Sequence, residues 1–167
     1  MTTTTPAILR RSLTVLAVGA ASLALAGCSL LGNITGGNTD TGDGGTGTDV
    51  DVFTIAVGDC LNDGGVDGEV TTVPTVDCAE PHDSEAYASI LMPDGEFPGD
   101  SVVEDFAVEE CTAAFDSFVG LAYADSTLSF SYYYPTAESW TNGDREILCL
   151  LVDPAGQVTG SLKGAAR

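Results

Sequence analysis

His82 is the only histidine of the 167-residue chain. It sits in "CAEPHDSE" (78–85), with Cys78 four positions before it and Glu80, Asp83 and Glu85 around it. Three kinds of chemistry use residues of these types. A serine or cysteine nucleophile needs a base, and any Ser–His or Cys–His pair in this chain must use His82. No Gly-x-Ser-x-Gly elbow accompanies it, and "GSLKG" (160–164) has the wrong spacing. A glycosidase needs two facing carboxylates, but among 25 acidic residues nothing selects two. Zinc would have to use Cys78, His82 and two further cysteines. Structural zinc favours ligands in close pairs such as Cys-x-x-Cys, whereas the nearest two cysteines here are 18 positions apart. The reading is a non-enzymatic chain with no catalytic residues, no metal and no cofactor. An envelope hydrolase built on His82 and a nearby carboxylate is the competing reading.

A structural or a binding role remains for this histidine. Pro81 stiffens the turn after Cys78, which places the imidazole to bond backbone where the turn meets a strand at Glu85. The functional alternative is a binding surface made of His82, Glu85, Trp140 and Arg145. Trp140 is the only tryptophan and borders a turn. Arg145, in so acidic a chain, either pairs with a carboxylate or grips an anionic ligand group. A cell-wall or small-ligand site using Tyr133, Trp140 and Arg145 is a variant of this idea.

These residues need elements to hold them. "VFTIAVGDC" (52–60) reads as a strand, "NDGGVDGEV" (62–70) as turns and "TVPTVDC" (72–78) as extended chain. "EAYASILM" (85–92) alternates Ala86, Ala88 and Ile90 against Glu85, Tyr87 and Ser89, the period of a strand with unlike faces. One strong helix starts near Asp100 or Ser101. Val103, Phe106, Ala107, Cys111, Ala114, Phe115 and Phe118 share one face of it, and Gly120 ends it. "TLSFSYYYP" (127–135) is a strand with Leu128, Phe130, Tyr132 and Tyr134 on one face. "TAESW" (136–140) is a helical turn and "REILCLLV" (145–152) a buried strand. "QVTGSL" (157–162) is expected as a final strand. The fold class is α+β, a small antiparallel sheet with one main amphipathic helix packed on it.

Cys60, Cys78, Cys111 and Cys149 would staple this domain with two disulfides. Of three possible pairings, Cys60–Cys78 and Cys111–Cys149 is favoured. The first pair brackets one turn-rich excursion, and the second joins the helix's apolar face to the buried strand.

The N-terminal part of the chain has a different composition. Arg10 and Arg11 precede the apolar "SLTVLAVGAASLALAG", the order of a secretory signal over residues 1–27. Its sixteen residues span about 24 Å as helix, short of the roughly 30 Å hydrocarbon core. "LAGC" (25–28) resembles the bacterial lipobox, which implies cleavage before Cys28 and lipidation of its sulfur. Residues 28–50 are then the lipidated cysteine and a flexible tether rich in glycine and threonine, and 51–167 the globular domain. After cleavage only Arg145, Lys163 and Arg167 stand against the 25 carboxylates. That field repels phosphate backbones and excludes nucleic acid as a partner.

"VGDCLN" (57–62), "VDCAEPHDSEAY" (76–87), the helical Cys111, "PTAESWTNGDREILCLL" (135–151) and "TGSLKG" (159–164) together resemble the septum-formation domain family. The resemblance implies an actinobacterial, extracytoplasmic, disulfide-paired domain with a role in cell division. The resulting expectation is a lipoprotein on the outer face of the cell membrane, held there by its N-terminal lipid anchor. It would act as a binding or structural module, with an unknown envelope or division protein as partner.

Overall fold

The computed structural model describes residues 47–64 and 68–167. The expected signal segment, Cys28 and all but the end of the expected tether lie outside the described residues. Six strands form one antiparallel sheet: β1 (Thr48–Asp51), β2 (Cys60–Leu61), β3 (Thr72–Val76), β4 (Ser84–Leu91), β5 (Ser129–Tyr133) and β6 (Glu146–Val152). Their spatial order is β1-β3-β2-β4-β6-β5. Helix α1 (Asp100–Val119) packs on one face, and the short α2 (Ala137–Thr141) precedes β6. β1 begins at Thr48, so the last three residues assigned to the tether belong to the sheet. Among the described residues no helix is long and apolar enough to cross a membrane.

β6 explains why the core has two sides. Its "EILCLLV" is buried along five consecutive positions. Ile147, Cys149 and Leu151 face α1, where Val103, Ala107, Cys111, Phe115 and Phe118 pack. Leu148 and Leu150 face the other way, onto Ile55, Leu61, Val73 and Ala86. Val50 of β1 and Tyr133 of β5 both touch this second cluster. Those strands end a six-strand sheet and would lie about 24 Å apart if it were flat, at ~4.8 Å per strand. The sheet is therefore curled, and its concave face holds the second cluster.

Two disulfides staple the domain. Cys60–Cys78 ties β2 to the turn after β3, and Cys111–Cys149 ties α1 to β6. The loops they close, 18 and 38 residues, correspond to about 3 and about 4 kcal/mol in the chain-entropy account.

The structure departs from the sequence reading at four elements. Residues 52–60 are not one strand. The Asp51 carboxyl accepts a bond from the Phe53 N–H and caps a 3-10 turn at Val52–Thr54, so only Cys60–Leu61 pairs. The 157–162 segment is not a strand either. Val158 makes one bridge to His82, and then Gly160, at φ 89°, turns the chain out of extended geometry. Helix α1 is capped by Gly99 without a side-chain bond, while Gly120 at φ 80° closes it as expected. The fourth difference is in β4. Ala86 pairs with Leu150 and Ala88 with Cys149, so Tyr87 is an extra residue in the ladder. This bulge resets the alternation. Ala86 stays on the concave side, while Ala88 and Ile90 join Tyr87 on the helix side. Tyr87 stacks edge-on to Phe115 and donates its hydroxyl to the Cys111 carbonyl at 2.7 Å.

Candidate functional site

The four residues of the expected surface occupy two places at opposite ends of the β4–β6 ladder. Glu85 pairs across from Leu151, whereas the backbone of Arg145 bonds to Met92 beyond the other end of β4. The rise between Glu85 and Leu91 alone is ~20 Å.

His82 and Glu85 lie under the C-terminal segment. His82 is 0% exposed, and its Nδ1 is 2.9 Å from the Glu80 carbonyl, an acceptor, so Nδ1 carries a hydrogen and donates it. Nε2 is buried without a partner. The His82 backbone exchanges two bonds with Val158, each 2.9 Å. Glu85, 1% exposed, accepts from the Ser161 hydroxyl at 2.6 Å and from the Leu162 N–H at 2.5 Å. Together these bonds clamp residues 158–162 over the β2–β4 junction. The Cys60 and Cys78 sulfurs lie within 4.8 Å of the Glu85 carboxyl, but they are bonded to each other.

Trp140 and Arg145 do come together. The guanidinium lies 3.7 Å from the centre of the indole ring, and one of its nitrogens donates to the Trp140 carbonyl at 2.9 Å. Arg145 Nε is 3.5 Å from Asp94, and the indole N–H donates to the Gly95 carbonyl at 2.9 Å. Phe97 packs edge-on against the ring. Trp140 is 5% exposed, so this cluster pins the 93–97 loop and offers no open aromatic platform.

The accessible site lies elsewhere, on the concave face of the sheet. A groove of about 1160 Å³ runs there between residues 63–64 and 68–71, β5 and the α2–β6 turn. Leu148, Val152 and Tyr133 form part of its floor, and Val52, Phe53 and Val70 one wall. Six carboxyl groups line it: Asp63, Glu69, Asp83, Glu138, Asp144 and Glu146. Among the described residues the lining holds no lysine, arginine or histidine. The ion pairs among the described residues, Arg145–Asp94 and Arg167–Asp153, use none of the six.

Local bonds hold several of these carboxyls. Asp63 accepts from Ser84 at 2.6 Å and from the Tyr133 hydroxyl at 2.9 Å, joining the loop after β2 to β4 and β5. Burial, then the charge of Asp63 and its bond, push the Tyr133 phenol well above the ordinary tyrosine range. Asp83 accepts from the Gly64 N–H at 3.0 Å, and a β-carbon on Gly64 would lie 2.8 Å from that oxygen. Asp144 accepts from Ser139 at 2.8 Å and from the Glu146 N–H at 3.0 Å, which fixes the turn after α2. Glu146 accepts from Ser89. Of the residues read from sequence as site candidates, only Tyr133 lines this groove. Asp63 had no local signal to mark it, since its partners are 21 and 70 positions away.

A family model described as septum formation matches residues 28–164. The chain belongs to the septum formation family. No curated protein and no solved structure shows significant similarity to it. The septum formation domain thus combines a disulfide-stapled α+β body with an open acidic groove, and family membership supports a role in cell division or the cell envelope.

Proposed function

We propose that this chain is a lipid-anchored, extracytoplasmic binding module of the division or envelope machinery, and that the acidic groove is its working surface. The observation that carries the reading is the contrast in access. The groove is open and walled by side chains of both kinds, whereas the one imidazole is sealed at 0% exposure with Nδ1 engaged. A base for hydrolysis must come within hydrogen-bond reach of a proton on the substrate, about 2.6–3.2 Å. The clamp of residues 158–162 over His82 argues against that role. Cys28 would carry the lipid, and the residues after it would hold the domain off the bilayer.

The test is localisation in dividing cells. An export-competent fluorescent protein is fused to the C-terminus and followed with and without Cys28→Ala. Enrichment at the division site, lost in the alanine variant, is the expected result. An even membrane ring would refute the division assignment, and an unchanged pattern in the variant would refute the anchor.

A further inference from the structure

The groove has a directional feature. Ser131, Tyr132, Tyr133 and Tyr134 all line it, so it follows β5 along consecutive residues. β5 is the last strand of the sheet and pairs only with β6, so its outer backbone groups are open to pairing.

The groove's charge points to one kind of occupant. Six carboxyl groups, with no cation among them or paired to them among the described residues, favour a ligand carrying several positive charges. At about 1160 Å³ the groove is far larger than a single cation needs, and it exceeds the ~300–1,000 Å³ of small-molecule sites. The apolar stretch formed by Val52, Phe53, Leu148 and the tyrosines suits a chain with side chains and a backbone.

We propose that the groove takes an extended basic peptide segment of an envelope protein, added to the sheet as a strand alongside β5 with its lysine or arginine side chains among the groove carboxyls. Main-chain bonds to β5 would supply affinity, and alternate side chains would supply selectivity. The proposal rests on the binding-module reading and names its partner class.

The test uses the full chain purified in detergent at about 150 mM salt. The probe is a fluorescein-labelled octapeptide alternating lysine and serine, read by fluorescence anisotropy. Glu69→Gln/Glu138→Gln removes two groove charges that accept no side-chain hydrogen bond among the described residues. Glu109→Gln/Asp116→Asn removes two charges from the exposed side of α1 and controls for the general field. The groove variant should bind about three- to tenfold more weakly, as two exposed charge pairs warrant, with the helix variant within about twofold of wild type. N-methylation of alternate peptide nitrogens should weaken binding at least tenfold, because it removes the donors to β5. Equal losses in the two protein variants would reduce the effect to net charge and overturn the proposal. Binding indifferent to N-methylation, binding of the matching glutamate–serine peptide, or displacement of the probe by equimolar spermidine would each overturn it too. Failure here with division-site enrichment intact would strike the occupant alone. Binding without that enrichment would strike the cellular assignment alone.

Discussion

Removing the Glu85 carboxyl should loosen the C-terminal clamp and cost a large share of the domain's stability. In Glu85→Ala the buried Leu162 N–H loses its acceptor, and leaving such a donor unpaired costs about 1–3 kcal/mol. Ser161 also loses its bond, but it is exposed and its hydroxyl can turn to water, so that part is nearer 0.5–1 kcal/mol. One buried methylene goes as well, at about 0.8 kcal/mol. The total is about 2–5 kcal/mol against a typical domain stability of about 5–15. At roughly 3–5 °C per kcal/mol for a domain of this size, Tm should fall by about 7–24 °C. Glu85→Gln keeps one acceptor oxygen and turns an amide toward the second donor, so its loss should be about half as large. Ser161→Ala should cost least. Thermal unfolding followed by circular dichroism gives the order, and amide exchange at Leu162 should accelerate most in the alanine variant. A Tm within about 3 °C of wild type for Glu85→Ala would refute the clamp, as would slower exchange at Leu162 than at the β6 amides.

Three further outcomes follow from the core and its surroundings. Burial pushes Tyr87 upward, and burial with the Asp63 charge pushes Tyr133 upward, so both phenols stay protonated in the fold above pH 10 while the unfolded chain ionises. Stability should hold below about pH 10 and then fall by up to about 1.4 kcal/mol per pH unit for each tyrosine. Urea midpoints that stay flat between pH 10 and 11 would contradict this. Cys111→Ala/Cys149→Ala should destabilise more than Cys60→Ala/Cys78→Ala, because its loop is longer and both its cysteines are fully buried. The reverse order of urea midpoints would refute that account. Arg145→Lys keeps the charge but loses the planar stack on Trp140, worth about 0.5–2 kcal/mol. Trp140 emission should shift to the red, and an unchanged spectrum with unchanged Tm would show the stack to be idle.

The local sequence was enough to determine the elements whose signals are dense and periodic. The apolar stripe of α1 repeats at three and four residues, Gly120 stops it, and Cys111 on that stripe implied its bond to the buried strand of Cys149. "EILCLLV", apolar at nearly every position, read as a buried strand, and it is one. The two segments read as strands that do not form them are those where single side chains redirect the backbone. Asp51 caps a turn inside residues 52–60, and Glu85 captures Ser161 and Leu162 beside a glycine in left-handed geometry. Tertiary structure alone decided the rest. The bulge at Tyr87 moves Ala88 and Ile90 to the helix face, and it exists because the Tyr87 ring is taken up by Phe115 and Phe118 and its hydroxyl by Cys111. The groove depends on the curl of the sheet, which brings Asp63 to Tyr133 across 70 positions. Periodicity records which face of an element is apolar. It carries no record of how far a sheet curls, because curl is set by packing among strands that are distant in sequence.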